Sequence, residues 1–494
     1  MTPLAVSLLS ISHCPSLATR NLRTYCESFD DVRGHVQWHL LDIDIHASSK
    51  SVRHSAQRLS FSTYADYVLA DLERSRPDIV GVSAYLWNVE LSLRLAAQIR
   101  AVLPDVVIVF GGPDPGPRAA ALLAAHPAVD AVIDGDGEEP MLSLVREALA
   151  GRPRHFDAVP QCWFRDGDRI RVSSEPGRPT DLGRLTLTSD DLEAAAAIAA
   201  WPHPFWLCET MRGCPYPCAF CLYGKTPAAR KSTELVIDEL AALLGRGIDV
   251  EIIDPTFTTY QKRAKDILRG RADRGVRGRV WFEAYADSID EEMVELMVCA
   301  NVWGVELGLQ TISRAGLKAA ARPQNLEKFD RAVERLRNAG IKFWVDVLFG
   351  LPETTADDYV ATMDYAFELR APIDTYRLLG LPGSPMMADA AEHQLVFADG
   401  PPYELLSSRT FTIDDVVFCS QFAATYDAMR HRLGDDLLWR ITRLTGGLSG
   451  LIQRVFEAAR AASPAAPARA LRSFAPETSP IIEHVVRAVM QAGG

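Results

Sequence analysis

Strand-like and helix-like stretches alternate along two separate blocks of this chain, which confines the fold to parallel sheets covered by helices. In the first block, residues 1–150, candidate strands fall at 4–10, 36–43, 79–83, 106–110 and 131–133, and a doubly wound, flavodoxin-like (Rossmann-like) sheet is expected. The second block, residues 204–395, repeats a strand-then-helix unit six times, with strands near 206–210, 250–254, 279–285, 303–309, 341–348 and 374–379. Its first helix shows the pattern: Val236, Leu240, Leu243 and Leu244 share one face, and Gly245 and Gly247 stop it before the next strand. Six units without a seventh predict a partial (β/α)6 barrel with its mouth where the strands end.

Residues 151–203 read as a linker carrying a hairpin, Cys162-Trp163-Phe164 and Arg169-Ile170-Arg171-Val172 joined at Asp166-Gly167-Asp168, followed by the alanine run 194–197. Residues 396–494 lack strand alternation. They read as mostly helical, over 420–432, 435–445 and 448–462, and are expected to cap the barrel and face the substrate.

The class is globular, and nucleic acid is not expected as a partner. With 52 basic and 64 acidic residues the net charge is −12, and no Lys/Arg-rich run offers a phosphate-neutralising face. The apolar start of the chain lacks a basic n-region and a cleavage site, and no apolar run reaches the ~18 to 20 residues that span a bilayer. A cytoplasmic protein is expected.

Nine cysteines are present, six of them (Cys14, Cys26, Cys162, Cys208, Cys299, Cys419) without common spacing, as expected of small core residues in a reducing compartment. The other three form C-x3-C-x2-C: Cys214-Pro215-Tyr216-Pro217-Cys218-Ala219-Phe220-Cys221. Chance gives this spacing roughly 0.003 times in a chain of this composition. Three thiolates on one loop call for a soft metal. Zinc is the structural alternative, with Cys208 as a conceivable fourth thiolate; an iron–sulfur cluster held by three cysteines instead leaves one iron open to a chelating ligand.

The loop, with its aromatic Phe220, resembles the radical SAM motif, and the resemblance covers residues 206 to about 385. It implies a [4Fe–4S] cluster on Cys214, Cys218 and Cys221 whose open iron binds S-adenosylmethionine and cleaves it reductively. Carried over position by position, Phe220 borders the adenine, and Glu306 and Gln310 line the ribose or amino group. Arg322 meets the methionine carboxylate, and Phe349-Gly350-Leu351 packs on adenine through its backbone. Asp254 stands where the family usually has a glycine-rich stretch contacting the amino group. No catalytic residue beyond these ligands is readable.

In the first block, Ser83-Ala84-Tyr85-Leu86-Trp87-Asn88, Gly111-Gly112-Pro113 and Gly135-Asp136-Gly137-Glu138-Glu139 follow the third, fourth and fifth strands. Their order ahead of the cysteine loop resembles the B12-binding domain fused to many radical SAM cores. The cobalamin contacts it implies are Ser83, Tyr85, Leu86, Trp87, Asn88, Gly111, Gly112, Pro113, Gly135, Gly137, Glu138 and Glu139. The cobalt-ligating D-x-H-x-x-G signature is absent from the first loop, Ile11-Ser12-His13-Cys14-Pro15-Ser16, and His46 follows the wrong strand, so cobalamin without a histidine beneath the cobalt is expected.

The resemblance as a whole implies a cobalamin-dependent radical SAM methyltransferase acting on an unactivated carbon of a small molecule or peptide, through a 5′-deoxyadenosyl radical and methylcobalamin. An external flavodoxin- or ferredoxin-type donor would supply electrons, with natural-product biosynthesis as the setting. Ring contraction, cyclisation or rearrangement with the same cofactors is the enzymatic alternative, and a cobalamin or iron–sulfur sensor the non-catalytic one. Neither nucleic acid nor a membrane is expected as a partner.

Overall fold

The computed structural model describes residues 3–12, 14–44, 61–199, 204–223, 228–462 and 479–492. Strands β1 (Leu4–Ser12), β2 (Val36–Asp44), β3 (Ile79–Ser83), β4 (Val107–Gly111) and β5 (Ala131–Ile133) lie parallel in the order β2-β1-β3-β4-β5. Their centres are continuous apolar runs because both faces are covered. Helices Phe61–Ser75, Val89–Val102 and Ala119–Ala125 cover one face through Val68, Leu72, Leu95, Ile99 and Leu122. Leu17–Glu27 and Glu138–Leu149 cover the other through Tyr25, Met141, Leu144 and Val145. The winding reverses between β1 and β3, which opens a crevice at the strands' carboxyl ends.

The hairpin expected as part of a linker is instead the edge of this sheet: β6 (Cys162–Asp166) pairs antiparallel with β5, and β7 (Arg169–Val172) with β6. The alanine run also differs from expectation. It lies in helix Ser189–Ile198, started by a capping box in which Thr188 and Asp191 satisfy each other's backbone N–H groups.

The second body is an open parallel sheet in the order β15-β14-β13-β12-β11-β8, formed by β8 (Phe205–Cys208), β11 (Asp249–Ile252), β12 (Val280–Ala284), β13 (Val302–Gln310), β14 (Lys342–Phe349) and β15 (Ile373–Arg377). Two short antiparallel strands, β9 (Met211–Arg212) and β10 (Ala229–Arg230), flank the cysteine loop. Along β13, Val305, Leu307 and Leu309 are buried against the helical layer, while Glu306 and Gly308 face the lumen. This alternation puts apolar side chains under the helices and polar ones inside the barrel.

The C-terminal helices, Ile413–Leu433, Asp435–Thr442, Leu448–Ala462 and Ser479–Ala492, pack on the outside of the barrel rather than over its mouth. Phe422 meets Tyr359 and Tyr426 meets Phe367 on barrel helix Ala356–Glu368, and the Tyr426 hydroxyl accepts from the Ile373 backbone N–H at 3.1 Å. The stretch before them, around β16 (Val396–Phe397) and β17 (Leu405–Ser407), reaches the first domain, where the Tyr403 hydroxyl donates to Asp114 at 2.8 Å. Among the described residues no helix is long and apolar enough to cross a membrane.

Candidate active site

The cysteine loop leaves β8 at the barrel mouth and is held from below by a buried carboxylate. Asp254, fully buried after β11, accepts from the Thr210 N–H at 2.7 Å, the Thr210 hydroxyl at 2.5 Å and the Met211 N–H at 2.9 Å. Burial pushes its pKa up to about 6, against these hydrogen bonds and the nearby Arg263. Both oxygens accept hydrogen bonds from the loop, so Asp254 positions it. Further along, the Ala219 N–H donates to the Ala320 carbonyl at 2.9 Å and the Ala219 carbonyl accepts from the Met386 N–H at 2.8 Å. Phe220 packs half-buried against the barrel core.

Cys214 and Cys218 are buried and Cys221 is partly so. Burial raises the Cys214 thiol and pushes Cys221 up to about 11; a backbone N–H donor, from Tyr216 and Tyr223 respectively, lowers each, while Cys218 raises both and Cys214 raises Cys221. Arg322 Nη1 stands 3.5 Å from Cys218 Sγ. N–H and guanidinium donors thus surround the three sulfurs, the environment that stabilises an anionic iron–sulfur cluster. Cys208 does not join them. Its thiol is buried on the helical side beside the Lys231–Glu239 ion pair, and among the described residues no three His, Cys, Asp or Glu side chains are grouped to hold a metal ion. Cys214, Cys218 and Cys221 do not converge on one ion either; three separate thiols on one loop are the donor chemistry for a cluster in which each binds a different iron.

Next to the loop, β13 ends in a bulge after Gly308, with Gln310 at φ +66°. The Gln310 amide folds back over Gly308, where a Cβ would lie 2.6 Å from Gln310 Nε2 and 2.9 Å from Arg322 Nη2. Gln310 Oε1 is buried without a hydrogen-bond partner, an acceptor suited to an ammonium group. Arg322 donates from Nη2 to the Gly308 carbonyl and from Nε to Gln324 at 3.1 Å. At the β14 end, Phe349 packs on Tyr359 at 5.2 Å, and the Leu351 carbonyl accepts from Thr354 twice, which fixes the backbone of this segment. Gly350 between them takes φ +88° against Leu405. Glu306 lies deeper, beside Asp346, and lines the lumen.

Across the mouth stand the loops of the first domain. Gly112 has φ +122°, and a Cβ there would lie 2.1 Å from the Ala84 carbonyl oxygen, so only glycine lets the β3 and β4 loops meet. Gly135, at φ +114°, likewise packs on Gln161. Tyr85 and Trp87 stack at 4.5 Å with Trp87 54% exposed, and Ser83, Leu86, Gly111, Pro113 and Gly137 share this edge with open faces. Three residues of this set also tie the loops to the rest of the fold. The Asn88 amide donates to the Ile11 carbonyl at 2.9 Å and accepts from the Tyr85 N–H at 2.7 Å; Glu139 accepts from the Tyr25 hydroxyl; and Glu138 is buried in an ion pair. His13 and His46 lie outside the described residues.

That ion pair joins the two bodies. Arg212, two residues before Cys214, donates to both Glu138 oxygens at 3.0 and 2.9 Å and to both Glu209 oxygens at 2.9 and 2.8 Å, and pairs with Asp136 at 3.1 Å. Sequence reasoning passed over Arg212. Its place between the cysteine loop and the Asp136–Glu138 loop was the available signal, but the pairing is long-range.

A doubly wound domain with glycine loops, bolted to a six-stranded partial barrel with a three-cysteine loop at its mouth, defines a class of enzymes that set two cofactors against each other. A B12 binding domain family model matches residues 35–145, and a Radical SAM superfamily model matches residues 208–366. An uncharacterized methyltransferase, PH0819, of Pyrococcus horikoshii is 27% identical over 322 residues, covering 64% of this chain and 68% of that one. The cobalamin-dependent radical SAM methyltransferase TokK of Streptomyces tokunonensis is 26% identical over 305 residues, covering 57% of this chain but 44% of its own length. In fold, the solved structure of the cobalamin-dependent S-adenosylmethionine radical enzyme OxsB, with aqua-cobalamin and S-adenosylmethionine bound, matches 99% of this chain and 80% of that one, with a TM-score of 0.69 at 15% identity. The chain belongs to the cobalamin-dependent radical SAM enzymes, a B12-binding domain fused to a radical SAM core.

Proposed function

We propose that this protein is a C-methyltransferase that methylates an unactivated carbon of a small-molecule or peptide substrate. The observation that carries this reading is the Arg212–Glu138 bond, which holds a loop assigned to cobalamin beside the loop assigned to the cluster. When bound, the cluster supplies the electron that cleaves S-adenosylmethionine to a 5′-deoxyadenosyl radical, and cobalamin carries the methyl group.

The chain's own part is binding, orientation and exclusion of water. Cys214, Cys218 and Cys221 are assigned to three irons, with Arg322 and the backbone N–H groups stabilising the sulfurs. Gln310 Oε1 is assigned to accept from the amino group of S-adenosylmethionine, with Phe220 along its adenine. Trp87 stacked on Tyr85, with the glycine edges 111–112 and 135–137, is assigned to the corrin. The stretch around Val396–Ser407, joined to Asp114 through Tyr403, is assigned to substrate selection. A cytoplasmic setting and a flavodoxin- or ferredoxin-type electron donor complete the assignment.

The test is anaerobic reconstitution with iron, sulfide and cobalamin, then incubation with reductant and S-adenosylmethionine. Formation of 5′-deoxyadenosine that disappears in Cys218→Ala supports the cluster assignment. With substrate, S-adenosylhomocysteine and a methylated product beside deoxyadenosine support methyl transfer; deoxyadenosine with an unmethylated product points to rearrangement.

A further inference from the structure

At the opposite end of the barrel from the cysteine loop, where the strands begin, the lumen widens into a cavity of about 370 Å³, within the ~300 to 1,000 Å³ usual for small-molecule sites. Four aromatic rings line it: Phe205, Trp281, Trp303 and Trp344. Gly304 makes room for them, since a Cβ there would stand 2.5 Å from the Trp344 ring and 3.3 Å from Trp281. Trp303 meets Trp344 edge-on at 5.3 Å.

Acidic side chains occupy the inward positions beside and above these rings. Glu251, Glu306 and Asp374 line the cavity, and the parallel register sets Glu283 beside Glu306 and Asp346 beside Asp374. Asp346 Oδ1 is enclosed and has no hydrogen-bond partner. Burial, then their mutual repulsion, raises Glu251, Glu283 and Asp346. Among the described residues lining the cavity, the one cationic side chain is Arg279, whose guanidinium is already held by the Asp249 carboxylate and lies 5.2 Å over Trp303.

Carboxylates gathered in a low-dielectric lumen without a counter-charge must stay protonated or recruit a cation. A bare metal ion would need several oxygens converging on one point, and among the described residues no such group exists. Indole faces, by contrast, attract cations that carry an apolar shell. We infer that the lower lumen is a binding site for an organic ammonium ion, with its alkyl groups on Trp281, Trp303 and Trp344 and its charge toward Glu306, Asp346 and Asp374. The site is separate from the cysteine loop and does not depend on the methyl-transfer reading.

The probe is choline, compared with its neutral isostere 3,3-dimethylbutan-1-ol, titrated calorimetrically into anaerobically reconstituted protein saturated with S-adenosylmethionine. Choline is expected to bind saturably, one per chain, and the isostere at least about 10-fold more weakly. Asp374→Asn and Trp303→Leu, at opposite sides of the cavity, are each expected to weaken choline about 10-fold while cluster absorbance and cobalamin content stay unchanged. Trp303→Phe is expected to restore most of the affinity. The inference is overturned if choline shows no saturable binding, if the isostere binds equally, if S-adenosylmethionine displaces choline, or if both variants bind as the parent does. The isostere comparison needs no variant, so misfolding of a variant cannot rescue the idea.

Discussion

Arg212→Met tests the bolt between the two bodies. Removing the guanidinium leaves Glu138, whose side chain is 5% exposed, with the Thr180 hydroxyl at 3.2 Å as its one side-chain donor among the described residues. Stripping one partner from a buried ion pair costs about 3 to 5 kcal/mol. Glu209 and Asp136 are better solvated, at 14% and 41% exposed, and add little. The loss should therefore fall near the lower figure, about 3 kcal/mol. Glu138→Leu alone leaves Arg212 its other carboxylates and should cost less, about 1 to 2 kcal/mol. In that background Arg212→Met should cost under about half of what it does alone, because the stranded carboxylate is gone. Urea unfolding of the four proteins of this cycle, followed by tryptophan fluorescence, gives the coupling, and cobalamin retained after gel filtration gives the functional readout. A single-variant loss below about 1 kcal/mol, or equal losses in both backgrounds, would refute the account of the bolt.

Three further outcomes follow from the same geometry. Gly112→Ala drives a Cβ to 2.1 Å from the Ala84 carbonyl at φ +122°, so it should cost about 3 kcal/mol or more and lower cobalamin affinity in an absorbance titration; unchanged affinity would remove this edge from the cobalamin assignment. Trp87→Ala, at an exposed position, should shift unfolding by less than about 1 kcal/mol yet reduce cobalamin retention, and full retention would count against the stacked pair as a corrin contact. Glu283 is held up to about 8 by burial first and then by Glu306 and Glu251. Its folded pKa thus lies above the unfolded value of about 4.3, so the stabilising proton is fully present below about pH 4 and lost as pH rises toward 8. The parent should lose thermal stability relative to Glu283→Gln between pH 5.5 and pH 8.5, and a constant gap would contradict the buried lumen carboxylate.

What could be read from the sequence followed from whether the signal was local. The strands of the first sheet were legible from their apolar runs, the barrel strands from their repetition in strand-then-helix units, and the helix Thr233–Leu244 because its buried face repeats at helical spacing. The hairpin Cys162–Val172 was legible as a hairpin, but its pairing with Ile133 was not, since nothing local marks a sheet's last partner. The helix Ser189–Ile198 carried a readable start in Thr188 and Asp191, masked by an alanine run that resembled a spacer. At the site, the three cysteines were legible from spacing alone. The internal partners of Asn88, Glu138, Glu139 and Asp254 were not legible: Asn88 donates to the Ile11 carbonyl, and the three carboxylates accept from Arg212, Tyr25 and Thr210, all brought from distant segments. The lumen carboxylates become visible only once the register sets Glu283 against Glu306 and Asp346 against Asp374.

The most direct measurement is electron paramagnetic resonance of the reconstituted, dithionite-reduced protein with and without S-adenosylmethionine, alongside metal analysis. The account predicts about four irons and four sulfides per chain, a reduced-cluster signal that changes when S-adenosylmethionine is added, and loss of that signal in Cys218→Ala. A zinc-loaded protein, or a cluster signal indifferent to S-adenosylmethionine, would contradict the assignment of three thiolates and one open iron.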